Sequence, residues 1–442
     1  MAVQYGKGAF SNKYKSFIIA WMFLHNVTVY FGGYLIYIYY QKTKEDITES
    51  SFALWIPEYW LTAGCVLGGL SALIIGRNWG TKVLLLLIRF IQILAIVVIF
   101  SFYVLSKYAW VEEYWVFGLY STFMLQGFID CLSQISSPIY VMETICDREP
   151  QLSVTLLLLV STQLPLYMSS FVAMLLSEHH LFLTLGVGIF AGVFLIVVFF
   201  FVFLPKTSQD GTVCNKDDNA TFWHLQFEKE SGWLCPATSS LAVCLLSQMT
   251  GFQMYEFYAS WSIRLVNLPF DTGVIKSGVL FLTLLLILPF WTKNRLSIFL
   301  ITTTGIISVC LFLSGIILHG LEAGNSVYPL VPFLVNTVFV ISYTAGLLTL
   351  APIVCIILIP RRYRLAIFTI VTTVTILDRR LVRAVTPTFI EILHPFGVFW
   401  LHAGATSLGL LYMVVAIVDQ VKDRHRSTPS SQCTVEEFIT QV

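Results

Sequence analysis

Twelve apolar runs, each long enough to cross ~30 Å of hydrocarbon as a helix, take up most of a 442-residue chain. They lie at 16–40, 58–76, 82–106, 114–142, 152–176 and 181–204, and again at 238–262, 273–291, 297–319, 328–359, 364–391 and 396–418. Hydrocarbon offers the backbone no hydrogen-bond partner, so runs of this length are read as helices, which satisfy their own N–H and C=O groups. Composition agrees: hydrophobic residues make up 57% of the chain and charged ones 12%, about half the charged share of a soluble domain. The chain is therefore expected to be an all-α membrane protein with 12 transmembrane helices. Lys7, Lys13 and Lys15 precede the first run, which is too long for a signal-peptide core and is read as the first spanning helix.

The runs fall into two sets of six. Between them lies a polar segment, 205–237, with Lys206, Asp210, Lys216, Asp217, Asp218, Glu228, Lys229 and Glu230. The expected organisation is an N-terminal six-helix bundle (1–204), a cytoplasmic middle loop (205–237), a C-terminal six-helix bundle (238–418) and a cytoplasmic tail (419–442). Six plus six around a charged loop is the layout of a two-half transporter, whose ligand site lies near the midplane between the halves. With both termini inside, about 17 of the 26 basic residues fall on the cytoplasmic side, the bias that sets orientation. The RRYR run at 361–364 and KDRHR at 422–426 are the clearest inner markers. Cys65, Cys131, Cys244, Cys310 and Cys355 lie within apolar runs, where they pack as small hydrophobes, and no disulfide framework is expected.

One stretch of the seventh run, SQMTGFQMYEFYAS at 247–260, carries far more hydrogen-bonding capacity than a lipid-facing helix tolerates. On a continuous helix Gln248, Gly251 and Tyr255 share a face with Tyr258 nearby, while Gln253 and Glu256 are partners on a second face. Such a helix lines a wet cavity, and amides and tyrosine hydroxyls, which donate and accept, suit a neutral polyhydroxylated ligand. The same residue types also bridge membrane helices to one another, so both readings stand on the residues alone.

The stretch resembles the seventh helix of the sugar porter family of the major facilitator superfamily, Q-Q-x-x-G-x-N-x-x-x-Y-Y. Gln248, Gly251, Gln253, Phe257 and Tyr258 match it, and Ser247 replaces the first Gln. SPIYVMET at 137–144 resembles the end of the family's fourth helix through Pro138, Tyr140 and Glu143, with Gly127 at a helix-packing position. FLPKTS at 203–208, GLLTLAPI at 346–353 with Pro352, and CTVEEF at 433–438 resemble further family segments in the family's order. The resemblance implies a major facilitator fold, with Gln163, Gln248, Gln253 and Tyr258 as substrate contacts and Gly80, Glu143 and Pro352 in gating or helix packing.

The departures are as specific. The family's D-R-x-G-R-R/K loop is reduced to Gly80 and Lys82, with Arg77 where the acid stands, and the second-half copy has Phe290 at the acid. Cys355 occupies the place of the tenth helix's cavity Trp. The first-helix Asp of proton-coupled members is replaced by Leu35, which favours uniport. Asp130 and Glu256 remain as intramembrane acids, and the eleventh run holds Asp378, Arg379, Arg380 and Arg383. Those arginines either balance the acids Asp130, Glu143 and Glu256 or hold an anionic substrate. Arg89, near the start of the third run, is expected to snorkel to the interface.

The expected function is facilitative transport of a hexose or disaccharide, by a monomer in the plasma membrane with the lipid bilayer as its surroundings. The alternatives are a transport-inactive sensor or scaffold, and a carrier of an anionic small molecule. The eight histidines show no H-x-x-x-H or H-E-x-x-H spacing and there is no Gly-rich nucleotide loop. No enzymatic activity, cofactor, metal or nucleic-acid partner is expected.

Overall fold

The computed structural model describes residues 12–44, 56–106, 112–146, 234–252, 272–287, 296–324, 326–359 and 363–427, with isolated positions at 168, 169, 172, 191, 194, 195, 254, 255 and 258. Gln163, Gln253, Glu256 and Phe257 lie outside the described residues, as do most of the fifth and sixth runs and of the middle loop. In the N-terminal half the helices are α1 (Asn12–Lys44), α2 (Ile56–Trp79), α3 (Thr81–Ser106) and α4 (Glu112–Val141), the last running into a π-helical turn at Met142–Cys146. The C-terminal half holds α5 (Leu234–Met249), α6 (Thr272–Ile287), α7 (Leu296–Glu322), α8 (Leu330–Tyr343), α9 (Thr349–Leu358) and α10 (Arg364–Ser427).

α10 is two spans joined at a break. His394 has φ 58° and ψ 162°, and Pro395 behind it excludes the helical conformation from the residue it follows. The pieces 364–393 and 395–427 match the eleventh and twelfth runs, although helix continues through 419–427, into the segment read as tail. Among the described residues four stretches are long and apolar enough to span a bilayer, and the last, of 52 residues, has the length of two passes.

Two kinds of surface hold the halves together internally. In the N-terminal half α4 packs against α1, α2 and α3, and small residues set the distance between backbones. A Cβ on Gly64 would stand 2.0 Å from Met124 O, and one on Gly127 would stand 2.1 Å from Leu61 O. Gly64 and Gly68 thus form a small-xxx-small face against α4. In the C-terminal half α7 packs along the second piece of α10, where Ser308 and Ser407 hydroxyls meet at 2.7 Å. Leu67, Leu70, Ile74 and Phe90 stay exposed, as expected of apolar side chains that face lipid.

Arg89 departs from the sequence expectation. It is 3% exposed, and its guanidinium bonds His25 through Nε to Nδ1 at 3.0 Å and through Nη2 to the carbonyl oxygen at 2.8 Å. It also donates to Gln92, which donates in turn to Thr28 O at 3.1 Å. Because a planar fork can satisfy several acceptors at once, Arg89 ties α3 to α1 inside the bundle instead of reaching the interface.

Candidate functional site

The seventh run is not one helix. α5 ends at Met249, Gly251 has φ 70°, and helical residues resume at Phe252. The carbonyl of Met249, freed by the break, accepts a hydrogen bond from His402 Nδ1 at 2.8 Å. The same imidazole would lie 2.7 Å from a Cβ at position 251, so both conformation and space require glycine there.

The break splits the polar face expected on a continuous helix. Gln248 stays on α5, whereas Tyr255 and Tyr258 belong to the piece beyond and are buried in the C-terminal half. The Tyr255 hydroxyl lies 2.6 Å from Ser314 Oγ, and its ring stacks on Phe339. Tyr258 packs edge-on against Tyr255 and Phe399. These aromatics pack against one another in the C-terminal half, and Gln248 lines a cleft.

That cleft lies between the halves. Gln134 of α4 lines one side, and Ser247, Gln248, Pro352, Thr372, Thr375 and Arg379 of α5, α9 and α10 line the other. Its open volume is about 50 Å³, room for a few waters. Pro352 follows a π-helical turn at Thr344–Leu348 and has no N–H to continue the helical ladder back to Leu348. Gly346 in that turn lets Thr303 approach to 2.1 Å from where a Cβ would be.

The polar groups of the cleft form a short chain. Arg379 Nε donates to Gln248 Oε1 at 2.9 Å, and Gln248 Nε2 donates to Ser247 Oγ at 2.9 Å. Ser247 Oγ donates to Cys244 O, and Tyr343 OH donates to Ser247 O at 3.1 Å. Among the described residues Arg379 meets no carboxylate at ion-pair distance. Asp130, taken as one of its possible counter-charges, instead accepts from Gln126 Nε2 at 2.7 Å, and Gln126 leans over Gly33 of α1. Glu143 accepts from Thr81 Oγ1 at 3.1 Å beside the Gly80 turn (φ 82°), away from the cleft. Arg383 is on the exposed side of α10, and Arg380 lies beside it. The carboxylate oxygen Asp378 Oδ2 is buried without a hydrogen bond among the described residues.

Below the cleft α2 and α10 close a seam between the halves. A Cβ on Gly76 would stand 3.0 Å from Leu365 Cδ2, and one on Gly69 would stand 2.3 Å from Thr373 Oγ1. Cys65, one turn further along α2, lies within electrostatic reach of both Asp130 and Arg379. Sequence reasoning missed Gln134, Thr372 and this seam. Gln134, a second amide two turns beyond Gln126 in the apolar fourth run, was the one available signal.

The chain has the fold of the major facilitator superfamily of membrane transporters. It superposes on the proton:xylose symporter XylE bound to 6-bromo-6-deoxy-D-glucose with a TM-score of 0.67 at 13% identity, covering 92% of this chain and 96% of that one. The transporter FucP in its outward conformation gives 0.68 at 11% identity, over 90% of this chain and 98% of that one. A bacterial homologue of the iron transporter ferroportin, outward-facing, gives 0.63 at 12% identity, over 91% and 99%. The inward-open form of XylE from E. coli gives 0.57 at 15% identity, over 96% and 98%. No protein-family model and no curated protein matches the sequence.

Proposed function

We propose that the chain is a facilitative transporter that moves a sugar-like polyhydroxylated solute across the plasma membrane by alternating access. On this reading its halves, 1–204 and 238–418, rock about the cleft, and both termini are cytoplasmic. The observation that carries it is the cleft: a chain of polar side chains on α5 and α10 faces Gln134 of the other half, inside a fold whose transporters bind solutes between their halves. The higher similarity to outward structures than to the inward-open one supports reading the α2–α10 seam as the closed cytoplasmic gate. The present cleft has room for a few waters only, and a hexose-sized ligand enters when the halves part.

Leu35 at the family's coupling position favours uniport. Among the cavity candidates Gln163, Gln253 and Tyr258 remain proposed contacts on the resemblance, and Gln248 on the geometry as well. The test is counterflow in proteoliposomes of the purified full chain preloaded with unlabelled sugars. Exchange of labelled sugar above protein-free vesicles supports transport. Its absence for hexoses, pentoses, disaccharides and sugar acids alike favours the transport-inactive reading.

A further inference from the structure

The hydrogen-bonding capacity left over in the cleft is unbalanced. A guanidinium has five N–H donors and no acceptor. In Arg379 the Nε–H is taken by Gln248, and the four on Nη1 and Nη2 bond none of the described residues. Gln248 spends one amide N–H on Ser247 and keeps the other. Gln134 brings a whole amide that bonds none of the described residues. Thr375 already donates its hydroxyl hydrogen to Val371 O at 2.7 Å. The cleft therefore presents mostly donors, one of them a full positive charge, at a site lined by Leu348, Phe368 and Ile376 on its apolar side.

A half-buried cation in apolar surroundings calls for an acceptor of opposite charge. No described carboxylate lies within ion-pair distance of Arg379: Asp130 and Glu143 accept from Gln126 and Thr81, and Asp378, its neighbour in sequence, makes no ion pair with it, since adjacent helical residues point apart. Gln248 fixes the guanidinium plane by its Nε edge and leaves the Nη donors to act as a fork. Such a fork matches the two oxygens of a carboxylate. The amides of Gln248 and Gln134 and the Thr372 hydroxyl are suited to hydroxyl groups on the same molecule.

We infer that Arg379 is a substrate-binding residue and that the solute is a polyhydroxylated monocarboxylate, a sugar acid in place of a neutral sugar. The inference rests on the transport reading above and narrows its substrate class. A uniporter for such a solute moves net negative charge, so its equilibrium responds to membrane potential as a neutral sugar's does not.

The test compares uptake of labelled D-glucuronate, D-glucose and L-lactate by the full chain in proteoliposomes, with and without an inside-positive potential set by valinomycin and K⁺. The expected result is glucuronate entry at least about tenfold above glucose and lactate, the discrimination of one charge-assisted contact, with glucuronate accumulation raised by the potential. Arg379→Gln should lose that preference while Arg379→Lys keeps part of it. Should the variants fail to fold, the wild-type preference and its voltage response decide alone. Glucose entry without glucuronate overturns the anion assignment and leaves sugar transport standing, and lactate entry without glucuronate overturns the polyol part. Entry of none of the three overturns both readings. Unaltered glucuronate preference in folded Arg379→Gln removes Arg379 from the site.

Discussion

Arg379 of α10 and Gln248 of α5 are joined side chain to side chain at 2.9 Å, across 131 residues of sequence. The contact makes one unit of what the sequence offers as two separate candidates. Each residue holds the other's orientation, and a residue held in this way presents its remaining donors at fixed positions.

Gln248→Ala should weaken solute binding by about 1–3 kcal/mol, because it removes the proposed ligand contact and releases the Arg379 fork. Binding measured by scintillation proximity checks the loss. Effects on thermal stability in detergent should be non-additive: Gln248→Ala combined with Arg379→Gln should lower Tm by little more than the worse single variant. Fully additive losses would show that the pair is not coupled.

Gly251→Ala should be destabilising by more than an ordinary surface substitution. A left-handed residue with a Cβ costs about 1–2 kcal/mol, and His402 must give way as well. Replacing His402 by Ala relieves the clash but frees the Met249 carbonyl, so the double variant should recover only part of the lost Tm.

Arg89→Leu should destabilise strongly, since it removes the hydrogen bonds that His25 and Gln92 accept from the guanidinium inside the bundle. Arg89→Lys should fail to restore stability, because one ammonium cannot reproduce a fork that reaches His25 and Gln92 together. Melting temperatures of the two variants in detergent, compared with that of the wild type, check both statements. Recovery by lysine would mean that charge alone matters there.

How much of this was legible beforehand varied with the reach of the interaction. The spans were legible because hydropathy is a local property, and the α10 break coincides with the gap between two apolar runs at Pro395. Gly251 was visible as a residue but not as a break, since its φ depends on His402, 151 residues later. Arg89 was misread for the same reason: its position near a helix start suggests an interfacial cation, and nothing near it in sequence announces His25. The arginine cluster showed an excess of positive charge, but only packing separates Arg379 in the cleft from Arg383 on the exposed side.

An imposed pH gradient should leave uptake unchanged, as expected for a uniporter with Leu35 at the coupling position. Measuring accumulation with the outside acidified checks this. Accumulation that Asp130→Asn abolishes would instead identify Asp130, which accepts from the Gln126 that packs on Gly33 of α1, as a proton carrier.

Filling the α2–α10 seam should bias the protein toward opening on that side. Gly69→Val adds atoms where Thr373 now sits and Gly76→Val where Leu365 sits. Spin labels at Arg77→Cys and Tyr363→Cys should report a longer mean distance by pulsed EPR in either variant than in the labelled parent.

At those two steps the seam joins glycine to side-chain atoms of threonine and leucine, with no ion pair in the contact. Dispersion falls off within a fraction of an ångström, and a gap of about 0.5–1 Å already forfeits roughly a quarter to a half of the attraction. Paired charges hold on over a longer distance and weaken gradually with salt. A latch built from fitted surfaces is therefore abrupt: it is either engaged or released, with few stable positions between. At these steps its setting is governed by shape and by whatever deforms the helices, such as bilayer thickness or lateral pressure.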